Sequence, residues 1–219
     1  MSWLGSLGEL LFPSRCLGCN QLGIRICSTC RAQWNSHIYR SVLVVQGAHI
    51  PVYSAVLYSG VAQKVLLGSK ESSLLDADIL VRQALGHALT YINSEQGIAD
   101  LVPIPSRKSA SRKRGRDFML ENTKALAEQP LVEVRAVLEH RRRVRDQSTL
   151  SSLEREINLR GAFRAANTPT LENIPVIIVD DLITTGTTLH EAARALISAG
   201  YDVIGAVTAC VAKPLRYTQ

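Results

Sequence analysis

Asp180 and Asp181 stand side by side between four aliphatic residues, Val176–Val179, and a threonine-glycine loop, Thr184, Thr185, Gly186, Thr187 and Thr188. Adjacent carboxylates at the mouth of a buried strand can accept charge-assisted hydrogen bonds from sugar hydroxyls or hold the water of a metal ion. A loop of this kind that opens a helix can gather backbone N–H groups, hydroxyls and the positive end of the helix dipole around one phosphate. Gly186 lets the backbone bend where a Cβ would obstruct. Acids beside a phosphate cradle suit a ligand that also carries hydroxyl donors or a divalent cation, and a ribose 5-phosphate unit offers both. The plainer alternative is an ordinary strand, turn and helix with Thr184 or Thr185 as N-cap. Neither G-x-x-x-x-G-K-[ST] nor G-x-G-x-x-G occurs to support a nucleoside triphosphatase or a dinucleotide enzyme.

A second chemistry sits near the other end. Cys16, Cys19, Cys27 and Cys30 form two C-x-x-C pairs, and only Cys210 of the five cysteines lies elsewhere. Each pair can present two thiolates from a tight turn, and two turns close a tetrahedral sulfur site for Zn²⁺. The short spacing between the pairs suggests a compact knuckle. A rubredoxin-like iron site and disulfides are the alternatives. Met1–Phe12 is interrupted by Gly5, Gly8 and Glu9 and lacks a basic leader, so neither a secretory signal nor a membrane span is expected. A reducing, cytoplasmic compartment follows, in which clustered thiols read as metal ligands. Cys210, in VIGAVTACVA, reads as a small core residue.

The formal charge is +6, but its distribution matters more than its sum. Arg107, Lys108, Arg112, Lys113, Arg114 and Arg116 form one basic run, and Arg141, Arg142, Arg143 and Arg145 another. Outside these ten, 15 basic residues face 19 acidic ones, so the positive potential is focused in two segments. Such focusing suits a small polyanion or a phosphate backbone, and a solvated loop is the plain alternative. His37, His49, His87, His140 and His190 have no motif around them. With 5% aromatics there is no basic-aromatic strip for stacking bases.

Positioning these groups requires an α/β scaffold. Strands are expected at His49–Gly60, Leu101–Ile104, Val132–Leu138, Gly161–Ala165, Ile174–Val179 and Val203–Ala209, and helices at Leu74–Ile92, Asp117–Ala127 and Ser152–Leu159. Alternation of strand and helix predicts right-handed crossovers and a doubly wound, mostly parallel sheet. Both basic runs then leave C-terminal strand ends, the edge where such sheets bind ligands. The composition suggests a boundary near Gly47, with a metal-binding segment over 1–47 and the larger domain over 48–219.

The segment Val176–Thr188 resembles the 5-phosphoribosyl-1-pyrophosphate (PRPP) signature of type I phosphoribosyltransferases. The whole chain resembles the ComF/GntX family: an N-terminal Cys₄ segment after Leu11-Phe12-Pro13, then a type I, Rossmann-like phosphoribosyltransferase domain. Val102-Pro103-Ile104-Pro105 is similar to the family's V-P-V-P and Arg114-Gly115 to its R-G. Gln147, Leu150, Glu154, Arg155, Asn158, Gly161, Ala162 and Phe163 follow its Q-x-x-L-x-x-x-E-R-x-x-N-x-x-G-A-F in order and spacing. Where the family commonly reads R-G-F-N-Q, this chain reads Arg114-Gly115-Arg116-Asp117-Phe118, losing an amide pair near the acceptor. Lys70 sits where relatives carry L-K-[FY]; with only the lysine retained, it reads as a surface residue.

The resemblance implies a Mg²⁺-dependent transfer of ribose 5-phosphate from PRPP to an acceptor that the sequence does not identify. Asp180 and Asp181 would contact the ribose hydroxyls, and Thr184 to Thr188 would wrap the 5′-phosphate. Pro105, Ser106 and Arg107 would bind pyrophosphate. Arg141, Arg143, Arg145 and Gln147 would belong to a flexible hood, with Arg107 and Arg145 neutralising the leaving group. Zinc would be structural. An association with DNA uptake is also implied, so the rival reading is a non-catalytic PRPP-binding module whose knuckle and basic loops dock a protein or single-stranded DNA. A homodimer is compatible with either reading.

Overall fold

The computed structural model describes residues 14–72, 74–106, 111–112, 114–127, 132–141, 161–166 and 173–212. Its framework begins with a hairpin. Strand β1 (Tyr39–Val45) runs antiparallel to β2 (Ala48–Leu57) through Gln46 and Gly47, both at positive φ (52° and 85°). Two central residues of that hand match the twist of paired strands. Gly47 is therefore a hairpin turn, and the strand on its N-terminal side shares the sheet that follows.

The main sheet has the order β1-β2-β7-β6-β3, with β3 spanning Asp100–Pro103, β6 Ile174–Ile183 and β7 Tyr201–Val211. β2, β7, β6 and β3 run parallel to one another, and β1 is the antiparallel edge. Parallel strands covered on both faces read as continuous apolar runs, and Ile50–Val56 and Val176–Val179 are buried without interruption. The expected mostly parallel, doubly wound α/β sheet is what the chain forms.

Helices α2 (Gly60–Ser72), α3 (Leu75–Gln96) and α4 (Phe118–Leu126) cover one face, where Ala84, Leu85, Ala88 and Phe118 meet Ile177 and Val179. The short helix α1 (Ser28–Gln33) joins the same layer through Cys30 and Trp34. Helix α5 (Thr187–Ile197) covers the other face, with Leu189, Ala192 and Leu196 against Val176 and Ile178.

Three expectations need correction. Val132–Leu138 is not a strand of the sheet: Val134 makes a single parallel bridge to Leu101, and pairing resumes as β4 (Leu138–His140). β4 runs antiparallel to β5 (Phe163–Ala165) in a separate two-stranded sheet, so the second basic run leaves that small sheet rather than the main one. At that bridge the Leu101 amide donates to the Glu133 carbonyl and the Arg135 amide to the Leu101 carbonyl, both at 2.9 Å, while the Asp100 carboxylate takes the Glu133 amide and the Arg135 guanidinium, so the ladder does not extend further along β3. Third, β6 continues past Val179 to Ile183, since β7 stays alongside after β3 has ended. Ser152–Leu159 lies outside the described residues, as do Arg107, Lys108, Lys113, Arg142, Arg143, Arg145 and Gln147.

Candidate functional site

Pro103 pairs with Val179, and one residue later the Ile104 amide donates to the Val179 carbonyl at 2.9 Å before the chain turns away through Pro105 and Ser106. Asp180 and Asp181 follow at the point where β6 has lost that neighbour. Successive residues of a strand face opposite sides. Ile177 and Val179 face the layer of α2, α3 and α4, and Val176 and Ile178 face α5. Asp181 accordingly reaches α2, while Asp180 lines the loop that leads into α5.

Both carboxylates are largely withdrawn from water, at 7% and 6% exposure. The Lys70 ammonium meets Asp181 Oδ2 at 2.6 Å, so Lys70 is not the surface lysine that its sequence context suggested. Burial opposes its charge, but Asp181 and then Asp180 outweigh burial and raise its pKa. Asp180 has no such direct cationic partner among the described residues. Burial first, then the Asp181 charge, hold its carboxyl well above the usual range, with Lys70 working in the opposite direction. Asp180 Oδ1 accepts the Asp181 amide at 2.9 Å.

The loop after β6 is anchored where the Ala212 amide donates to the Ile183 carbonyl at 2.9 Å. Gly186 occupies the left-handed region at φ 78° and is the N-cap of α5, so no side chain caps the first turn. Thr184 and Thr185 do not cap this helix; the hydroxyls of Thr185 and Thr187 bond each other at 2.8 Å. A cavity of about 270 Å³, including its open mouth, is lined by Asp180, Leu182 and the stretch Ile183–Leu189. A carboxylate, threonine hydroxyls and a helix N-terminus thus border one cavity, an arrangement that suits an anion carrying hydroxyl donors.

The Pro105 carbonyl accepts from His140 Nε2 at 3.1 Å, which brings the end of β4 against the exit of β3. Arg141 follows immediately and is exposed. Pro105 and His140, the described residues that flank the two basic runs, are therefore in contact, although their strands belong to different sheets. Arg114 is half-buried and close enough for its charge to act on Lys70. Arg116 is turned inward, binding Asp78 Oδ2 and Oδ1 at 2.7 and 2.8 Å. Asp117 caps α4 by accepting from the Leu120 amide, so the altered RGRD segment is committed to the helical layer. Sequence reasoning missed two contacts, that of Lys70 with Asp181 and that of His140 with Pro105. No local signal marks either one, because each joins segments that are distant along the chain.

The four N-terminal cysteines converge as well. One ligand atom from each of Cys16, Cys19, Cys27 and Cys30 lies within 4.8 Å of all the others, which is the only such cluster among the described residues. Cys19 and Cys27 Sγ are 3.6 Å apart, and Cys16 Sγ accepts the Cys27 amide at 3.3 Å. Burial resists ionisation of Cys16, yet amide donors from Cys19, Cys27 and Gly18 bring its thiol down to about 6. Burial and the neighbouring sulfurs push Cys30 up to about 12. An ionised sulfur surrounded by three others can hold a soft, tetrahedral cation such as Zn²⁺. Cys210 is fully buried in β7, as expected of a core residue.

No helix of the described residues is long and apolar enough to cross a membrane. No curated protein matches the chain. Among solved structures it is similar to adenine phosphoribosyl transferase from Trypanosoma brucei in complex with AMP, pyrophosphate and ribose-5-phosphate. That likeness has 11% identity and a TM-score of 0.38 over 87% of this chain and 86% of the other. Residues 113–218, the stretch that contains Asp180, Asp181 and the threonine-glycine loop, match the family model of the phosphoribosyl transferase domain.

Proposed function

We propose that this chain is a phosphoribosyltransferase of the ComF/GntX type that binds PRPP and transfers its ribose 5-phosphate to an acceptor. The observation that carries this reading is the left-handed Gly186 between the buried Asp180-Asp181 pair and the uncapped start of α5. The amides of the first turn of α5 and the threonine hydroxyls receive the 5′-phosphate. Asp180 and Asp181 accept from the ribose hydroxyls and fix the sugar against that anchor. Pro105, Ser106 and Arg107 receive the pyrophosphate, with Arg141, Arg143, Arg145 and Gln147 closing over it.

In the reaction the bond from C1 to the pyrophosphate oxygen breaks, the electron pair leaves with pyrophosphate, and the acceptor forms the new bond at C1 and gives up a proton. The transition state is oxocarbenium-like, so the residues contribute positioning and charge neutralisation more than nucleophilicity. Mg²⁺ supplies charge neutralisation on the pyrophosphate. Asp181 already has Lys70 as its cation, which fits a metal that arrives with the substrate rather than one held by the acids. The cysteine cluster holds structural Zn²⁺, and the chain works in the cytoplasm.

Incubating the protein with Mg-PRPP and a panel of purine and pyrimidine bases or a cell extract, while following pyrophosphate release, tests the proposal. Release that requires one acceptor is expected. Tight PRPP binding without release under any acceptor would leave the binding module, with protein or single-stranded DNA as its partner. Absence of both binding and release would overturn the assignment of the site.

A further inference from the structure

Lys70 lies outside the stretch that matches the family model, on a helix that the sequence pattern did not announce. Its placement is nevertheless over-determined. Ser69 is fully buried and gives its hydroxyl to Asp78. Its carbonyl accepts from Arg116 Nη2 at 2.6 Å, while the same guanidinium grips both oxygens of Asp78. The ring of Phe118 lies beneath two cations, with Arg116 Cζ at 5.5 Å and Lys70 Nζ at 5.7 Å from its centroid. The last turn of α2 is thus clamped from α3 through Asp78 and from the start of α4 through Arg116 and Phe118. The next residue along, Lys70, is aimed at Asp181.

A lysine that served only to keep the surface solvated would need no such clamp. Two adjacent buried carboxylates do need a cation, because neither can lose its hydration while ionised without compensation. A divalent ion could supply that charge, but it would have to displace an ammonium already 2.6 Å from Asp181. Tyr58, Cys210 and Arg114 are the other titratable groups whose charges are felt here, and only Arg114 among them adds positive charge.

We propose that Lys70 is a positioning residue, the fixed counter-ion of Asp181, which keeps the acidic pair open to hydroxyl donors and closed to a free divalent cation. The role rests on the PRPP reading for the identity of those donors. On this view metal reaches the site with the pyrophosphate of the substrate and does not precede it.

Mn²⁺ alone, titrated into the zinc-loaded full chain and followed by the electron paramagnetic resonance signal of the free ion, tests the role without PRPP. Wild type and Lys70→Arg should leave Mn²⁺ free at the acidic pair. Lys70→Met and Lys70→Gln should each bind about one Mn²⁺ per chain, about tenfold or more tighter than wild type, because the local charge becomes uncompensated. Adding Asp181→Asn to Lys70→Met should remove that ion. The proposal is overturned if wild type already holds Mn²⁺ in an Asp181-dependent way, or if folded Lys70→Met and Lys70→Gln bind no more tightly than wild type. Should neither neutral variant fold, the comparison of wild type with Asp181→Asn still decides. Calorimetry of wild type with Mg-PRPP reads the functional assignment separately, so failure there is distinguishable from failure of the counter-ion role.

Discussion

The Lys64 ammonium donates to the Gly18 carbonyl at 2.6 Å, fastening the first cysteine turn to the helix that carries Lys70. Gly18 itself fits there only without a side chain: a Cβ would stand 2.5 Å from Cys30 Sγ and 3.1 Å from Val61 Cγ2. The metal cluster and α2 therefore share one packed contact, in which the sulfur arrangement and the start of the helix depend on the same glycine.

Gly18→Val should push Cys30 out of the cluster and lower metal retention, whereas Gln33→Ala, at an exposed position of α1, should not. Zn²⁺ bound through four thiolates contributes on the order of 10 kcal/mol to folding of such a segment at neutral pH. The checks are metal content of the purified variant and protease sensitivity of its cysteine-bearing segment. Wild-type protein purified with neither zinc nor iron, yet resistant over Arg15–Trp34, would refute the metal role.

Asp180 sets stability against binding. Its folded carboxyl is raised by burial and by Asp181, so folding takes up a proton. The stabilising contribution of the protonated form is present below the ordinary carboxylate pKa and is lost as pH rises through the folded value. Asp180→Asn does not suffer this loss, so its Tm should gain on wild type as pH rises above the ordinary carboxylate range, by about 2–4 °C for each kcal/mol. The same change should weaken PRPP binding by about 1.5–3 kcal/mol, roughly ten- to a hundredfold. Thermal scans across pH and calorimetry together check it; equal Tm profiles with unchanged affinity would remove Asp180 from the site.

Much of this site was legible because its signals are local. Val176–Thr188 carries the strand, the acids and the glycine in one run, and the C-x-x-C spacing brings each pair of sulfurs together through a single turn. The helix Gly60–Ser72 was not legible, since Gly60, Gly68, Ser69 and Ser72 imitate a loop while tertiary packing buries Val61, Ala62, Val65 and Leu66. Lys70 could not be read for the same reason: the contact that defines it joins residues more than a hundred positions apart. Arg116 looked like one more member of a basic run, and only the fold supplies Asp78 as its partner. Val132–Leu138 has strand composition, but its ladder with β3 is one bridge long, Leu101 with Val134, because the Glu133 amide goes to the Asp100 carboxylate instead of to backbone.

Gly186 offers a sharper test of the phosphate cradle. A residue with a β-branched side chain is strained at φ 78°, and Gly186 is itself part of the cavity lining. Gly186→Val should abolish PRPP binding while the circular dichroism of the sheet and helices stays close to wild type. Retained affinity would return Thr184–Thr188 to the role of an ordinary helix start.

The basic runs separate an enzyme from a nucleic-acid module. If Arg107 and Arg145 neutralise a pyrophosphate leaving group, changing either to Ala should lower turnover or PRPP affinity and leave any DNA affinity small and steeply salt-dependent. If they follow a phosphate backbone, each loss should weaken DNA binding and flatten its salt slope by about one counterion, with PRPP affinity unchanged. The enzyme outcome is expected because the first run begins after Ser106, beside the exit of β3, and His140 draws the base of the second run against Pro105. Pro105 and His140, which flank the two runs, thus stand at the end of the sheet where Asp180 opens to the cavity. Parallel titrations of both Ala variants with Mg-PRPP and with single-stranded DNA over a range of salt decide between the two, and DNA binding that ignores PRPP would count against the leaving-group role.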